Sequence, residues 1–105
     1  MSSIQSISFY KRFVQDILSG TKTITIRDDK AKQYKIDETV TAVIHPDNQS
    51  FATLKILSIE SILFNQINED HAQQENMELP ELKQVIKEIY PGTNQFYVIG
   101  FRVIG

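Results

Sequence analysis

One stretch of this chain, Gly20-Thr-Lys-Thr-Ile-Thr-Ile-Arg-Asp-Asp29, brings an amine, a hydroxyl and a guanidinium close together in sequence. Within it, Thr23-Ile-Thr-Ile-Arg27 alternates with period two and is rich in β-branched residues. That predicts a strand with Ile24 and Ile26 on one side and Thr23, Thr25 and Arg27 on the other. Thr25 and Arg27 therefore share a face. Lys22 does not share it by strand parity, so it must reach Thr25 from the helix-to-strand turn. The plainer account, which leads on pattern alone, is a solvent-facing strand with threonines for β-propensity and charges for solubility.

Other chemistry-bearing residues are few. Glu75 lies in His71-Ala-Gln-Gln-Glu-Asn-Met77, four residues after a histidine, a spacing that sets both on one helix face. The imidazole could tune the carboxylate, although a solvated helix face explains the same residues. Phe96, Tyr97 and Phe101 could offer a stacking surface for a base. At strand spacing Phe96 and Phe101 read as core, while Tyr97, on the opposite parity from Phe96, stays open as a substrate contact. His45, beside Pro46, reads as hairpin-turn chemistry.

The exclusions are firmer. With no cysteine there is no disulfide framework, thiolate nucleophile or cysteine-ligated zinc. Two histidines are too few for a histidine-rich metal cage, and four scattered glycines cannot form a phosphate loop. No HExxH or GxSxG motif occurs. What remains is metal-free chemistry on Lys, Thr, Ser, Asp, Glu, Tyr and His, so neither metal nor cofactor is expected.

These residues must be positioned by a chain of 105 residues, enough for one domain with a core of limited depth. No apolar run is long enough to span a membrane, and the start lacks the pattern of a secretory signal, so a cytoplasmic protein with no membrane partner is the expectation. Net charge is −2. Residues 1–35 carry seven Lys/Arg against three Asp, and the remainder carries four against ten. The positive third could face an anion or could face the acidic remainder across the fold. The total argues against strong, non-specific RNA binding, which relies on phosphate neutralisation. Oligomeric state is not legible, and a monomer is the default expectation.

The elements follow from periodicity. Ile4–Phe9 reads as a short strand, and Tyr10–Ser19 as a helix with Phe9, Phe13 and Ile17 spaced four apart. Gly20 suits a left-handed C-terminal cap. Residues 28–36 read as a loop. Val40–His45 and Phe51–Ile59 read as strands joined by the turn Pro46–Ser50. From Ser61 to Asn76 the pattern is helical, with a break near Asn68. A further helix starts near Pro80, with Leu82, Val85, Ile86 and Ile89 as its apolar stripe. Gln95–Ile104 reads as a central strand covered on both faces. This mixture implies an α+β domain, residues 1–105, whose four or five strands could curl into a small barrel with flanking helices.

The spacing Gly20-x-Lys22-x-x-Thr25-x-Arg27 resembles the hallmark of ASCH domains, small β-barrel modules similar to the PUA fold and associated with RNA-related chemistry. In much of that superfamily an acidic residue stands where this chain has Thr25, so the threonine points to a narrower branch. Three blocks, Lys22-Thr-Ile-Thr-Ile-Arg-Asp28, His71-Ala-Gln-Gln-Glu-Asn-Met77 and Tyr90-Pro-Gly-Thr-Asn-Gln-Phe-Tyr-Val-Ile99, look like the bacterial N(4)-acetylcytidine amidohydrolase family, the YqfB-like proteins. The resemblance implies hydrolysis of the acetyl amide of N(4)-acetylcytidine to cytidine and acetate. The family's nucleophile falls on Thr25, its proton acceptor on Lys22 and its proton donor on Glu75. Residues 40–67 match least distinctively, which leaves room for another substrate preference. The implied partner is a small nucleoside. The alternative is a non-catalytic PUA-like module that holds a modified nucleoside or RNA.

Such a reaction makes electrostatic demands. A threonine hydroxyl needs a base, and Lys22 serves as one only when neutral, so burial or a neighbouring cation such as Arg27 must lower its pKa from the ordinary ~10.4. Arg27 would also suit an oxyanion. Glu75 must keep its proton near pH 7, above the reference ~4.3, to donate to the departing amino group.

Overall fold

The structure, a computed structural model, describes residues 5–105. Ile4, read as the start of the first strand, lies outside the described residues. Five strands, β1 (Ser6–Tyr10), β2 (Ile24–Arg27), β3 (Thr39–His45), β4 (Gln49–Leu63) and β5 (Gln95–Val103), form one sheet in the order β1-β3-β4-β5-β2. β1 and β3 run parallel, and the other neighbours are antiparallel. Irregularities in register at Ala42/Val43 and Ile56/Ser58 bend the ladder. The sheet curls into a half-barrel with three helices, the α+β architecture expected. Its two edges, β1 and β2, are neighbours of nothing else in the ladder.

Alternating side chains split the interior into two cores. Ile7, Phe9, Val40, Leu54, Ile56, Ile99 and Phe101 fill one, together with Ile17 of helix α1 (Val14–Ser19). Ile24, Ile26, Phe96 and Val98 fill the other, under helices α2 (Glu69–Gln74) and α3 (Leu79–Ile89), which contribute Ala72, Leu82 and Ile86. β5 lies between β4 and β2 and feeds both cores, as its continuous apolar run implies. Each fully buried aliphatic side chain stabilises such a core by about 1.5–3 kcal/mol.

Local chemistry revises several boundaries. The helix read over Tyr10–Ser19 begins as a 3-10 turn, Lys11–Phe13, and is α-helical only from Val14. Gly20 caps it at φ 82°, a left-handed conformation in which a side chain is strained. The loop read at residues 28–36 contains a 3-10 helix, Asp29–Gln33, because the Asp28 side chain accepts the Lys30 N–H and Ala31 and Tyr34 turn inward to the core. The helix read from Ser61 starts late. Ser61, Ile62 and Leu63 continue β4, paired with Tyr97, Phe96 and Gln95, and only then does a 3-10 turn, Phe64–Gln66, lead to α2. Period-two burial of Ile62 against Phe96 outweighs the helical spacing there. Of the α3 stripe, Leu82 and Ile86 are buried, Val85 is half-buried and Ile89 is exposed.

Gly100 of β5 is paired with Ser58 of β4, and an added Cβ there would collide with Ser58 Oγ. Gly100→Ala is expected to destabilise the fold by about 1–3 kcal/mol through overpacking. Ser58→Ala in the same chain should restore most of that loss, because it removes the colliding atom. Chemical denaturation of the single and double variants measures the coupling.

Candidate active site

Among the described residues three polar side chains are buried, Lys22, Thr25 and Glu75, the three to which the family resemblance assigns catalytic roles. Lys22 arrives on the turn after α1. Gly20 reverses the chain, and the N–H groups of Thr21 and Lys22 both donate to the Asp16 carbonyl at 3.0 Å. Thr25 follows on β2, whose alternation turns Ile24 and Ile26 to one core and Thr25 and Arg27 to the opposite face. Glu75 is the C-cap of α2, its N–H donating to the His71 carbonyl at 2.9 Å.

Two ties clamp these distant segments together. Thr23 N–H donates to the Gln74 carbonyl at 2.8 Å, and Asn76 Nδ2 donates to Asp16 Oδ1 at 3.3 Å. Between the ties Lys22 Nζ meets Glu75 Oε1 in a buried ion pair and also donates to the Ile24 carbonyl at 2.9 Å. The Phe13 ring lies 4.9 Å from the same nitrogen. Thr25 Oγ1 accepts from Arg27 Nε at 2.9 Å. The hydroxyl is thus held by the guanidinium, and the amine by the Ile24 carbonyl and Glu75.

Arg27 links the two sheet edges. Its Nη2 donates to the Ser8 carbonyl on β1, and its guanidinium stacks 5.0 Å from the Phe9 ring. The phenol of Tyr34 donates to the Ser6 carbonyl on the same edge at 2.8 Å.

The electrostatics follow from burial. Desolvation, with Arg27 as the next contributor and Arg12 a smaller one, lowers Lys22 to about 7 against a partial opposing effect of Asp16. Desolvation also lowers Arg27 and raises Tyr90, the latter offset in part by the Arg27 charge.

All four residues, Lys22, Thr25, Arg27 and Glu75, line one cavity of about 400 Å³. Its lining draws on both cores, with Phe9 from the first and Ile26, Leu82 and Ile86 from the second. Tyr10, Phe13, His45, Ile89 and Tyr90 are also among its walls. Sequence reasoning missed these wall residues: His45 was read as turn chemistry, and Ile89 as buried stripe. Tyr90 opens one of the three family-like blocks, the one signal that could have found it.

Two side chains that the sequence leaves open have other contacts. His71 Nδ1 accepts the Asn68 N–H at 3.0 Å and closes the capping box of α2. Tyr97 faces Arg27 across the β2–β5 ladder but does not line the cavity; it packs against the first core, with Lys32 Nζ 5.7 Å from its ring. Among the described residues, no group of three or more His, Asp or Glu is arranged to hold a metal ion.

The comparisons with known proteins agree in kind. The family model described as the ASCH domain matches residues 5–102. A Cronobacter sakazakii protein named N(4)-acetylcytidine amidohydrolase is 49% identical over 98 residues, 93% of this chain and 94% of that protein. Proteins of the same name from Vibrio vulnificus and Vibrio atlanticus are 49% and 45% identical, covering 97% and 99% of this chain and 98% and 100% of theirs. Among solved structures, an ASCH domain from Lactobacillus crispatus superposes with TM-score 0.77 at 13% identity, covering 94% of this chain and 79% of that one. An Enterococcus faecalis protein superposes with TM-score 0.78 at 20% identity, covering 99% and 78%.

The buried pair makes two predictions. Lys22→Met alone leaves Glu75 buried without its partner and is expected to cost about 3 kcal/mol, whereas Lys22→Met with Glu75→Leu is near neutral, as read by denaturant midpoints. The folded chain binds the Lys22 proton less tightly than the unfolded chain, whose amine keeps its ordinary value. Between about 7 and 10.5 the unfolded chain therefore holds more proton, and this amine makes stability rise with pH across that window. Denaturation at pH 7 and pH 10 should show that rise in the native chain and its loss in Lys22→Met.

Proposed function

The chain belongs to the ASCH domain family, and from that premise we propose that it is a metal-independent amidohydrolase that converts N(4)-acetylcytidine to cytidine and acetate. The relatives of that name, alike over nearly the whole chain, support the activity. The observation that carries the roles is the burial of Lys22, Thr25 and Glu75 around one cavity, with the amine lowered to about 7.

In this reading the acetyl group enters first and its carbonyl carbon meets Thr25 Oγ1. Lys22 leaves the Ile24 carbonyl and takes the hydroxyl proton, which its lowered pKa permits near neutrality. Thr25 Oγ attacks, and the oxyanion is stabilised by N–H groups of Arg27 not engaged by Thr25 and Ser8. Glu75 delivers a proton to N4 as the C–N bond breaks, releasing cytidine and leaving an acetyl ester on Thr25. Water, deprotonated at the same site, cleaves that ester to acetate and restores the hydroxyl. The direct Lys22–Glu75 contact gives the proton collected by the amine a path to the carboxylate that must donate it. Besides meeting the oxyanion, Arg27 orients the hydroxyl and helps to depress Lys22.

Chromatographic detection of cytidine tests this. The native chain is expected to turn over N(4)-acetylcytidine equally with and without a chelator. Thr25→Ala should lose at least about a thousandfold, and Lys22→Met and Glu75→Gln about 10²–10⁴-fold. Activity should rise with pH through about 7 as Lys22 loses its proton. Saturable binding without turnover would overturn the reading in favour of a module that holds modified nucleosides. Turnover lost on chelation would overturn its metal independence.

A further inference from the structure

The site described so far occupies the floor of its cavity and leaves the mouth without a role. Exposure is graded along the walls. Lys22, Thr25 and Glu75 are 3–5% exposed, whereas Tyr10 is 41% exposed and His45 is exposed beside it. Tyr10 and His45 are register partners at the C-terminal ends of the parallel strands β1 and β3. Their rings meet nearly perpendicular, at 88°, with centroids 5.5 Å apart. Phe13 connects this pair to the floor, its centroid 6.5 Å from that of Tyr10 and 4.9 Å from Lys22 Nζ. A line of rings thus runs from the buried amine to solvent. The sheet builds it: parallel pairing brings the two strand ends level, and the 3-10 turn after β1 folds Phe13 back under Tyr10.

We propose that Tyr10 and His45 seat the sugar of the substrate and so make the chain select the nucleoside over the free acetylated base. The inference rests on the amidohydrolase reading. A pyrimidine nucleoside carries its acetylamino group and its sugar on opposite sides of the ring. With the acetyl carbon at Thr25, the ring lies alongside Phe13 and the glycosidic bond points to the mouth. The sugar then meets two complementary surfaces. The Tyr10 ring offers an apolar face to the carbon side of the furanose, and the His45 imidazole can both donate to and accept from its hydroxyls. A free base ends short of the pair and gains neither contact. His45 differs in this from His71, whose ring nitrogen is committed to the start of α2.

The experiment compares kcat/KM for N(4)-acetylcytidine and for N(4)-acetylcytosine in the native chain, His45→Ala and Tyr10→Ala. The ratio of nucleoside to base is expected to fall about fivefold in His45→Ala and about tenfold in Tyr10→Ala, mainly through KM for the nucleoside. Both side chains are solvent-exposed, and a thermal melt of each variant checks that folding is intact; His45→Ala carries the test should Tyr10→Ala unfold. A ratio that stays at the native value, whatever happens to the separate rates, overturns the assignment while leaving the amidohydrolase reading standing. Turnover of neither compound by the native chain overturns that reading, and the assignment with it.

Discussion

Burial of the Lys22–Glu75 pair is the constraint around which the rest of the molecule is arranged. Removing two ionisable groups from water costs several kcal/mol per ion, and their mutual attraction repays this only when the geometry is fixed. The two residues are far apart in sequence, so the geometry cannot be local. It is imposed by the backbone tie from Thr23 to Gln74 and the side-chain tie from Asn76 to Asp16, which lock the turn after α1 against the end of α2. The same burial that makes the pair expensive lowers the amine toward neutrality. Stability and reactivity are thus opposite readings of one desolvation.

The sheet supplies the other half of the arrangement. A half-barrel with two cores has a line along which they meet, and polar groups can be dehydrated there without displacing apolar side chains from either interior. Thr25 and Arg27 occupy that line because β2 is an edge strand. One face of it packs Ile24 and Ile26 into the second core, and the other looks across to β1. The hydroxyl is preoriented by a guanidinium that is itself held by stacking on Phe9 and by the Ser8 carbonyl. In the proposed reaction, little reorganisation would then be needed as charge develops nearby.

Much of this was legible in the sequence, and most of what was not shares a cause. Period-two alternation identified β2 and the faces of Ile24, Ile26, Thr25 and Arg27 because each of those residues obeys the burial its strand requires. The unbroken apolar run of β5 announced a strand between two cores. Ser61–Leu63 misled because its pairing partner, Tyr97–Gln95, is distant in sequence, and no local pattern reports a ladder. His71 and Tyr97 were left open for different reasons. His71 shares a helix face with Glu75, but a local capping bond to Asn68 takes up its Nδ1, whereas the packing of Tyr97 against the first core is tertiary and has no local signal. The cavity walls were invisible for the converse reason: Tyr10, His45 and Ile89 come together only when β1, β3 and α3 converge.

The free edge of β1 has a further consequence. A strand with open carbonyls is a template on which another chain can add, and short proteins with curled, unclosed sheets are exposed to that hazard. Here the outward carbonyls of Ser6 and Ser8 are already taken by the Tyr34 phenol and the Arg27 guanidinium. The side chain that holds the Thr25 hydroxyl therefore also caps an open strand edge. Loss of Arg27 would leave the Ser8 carbonyl open to pairing with a neighbouring chain, quite apart from any effect on the cavity.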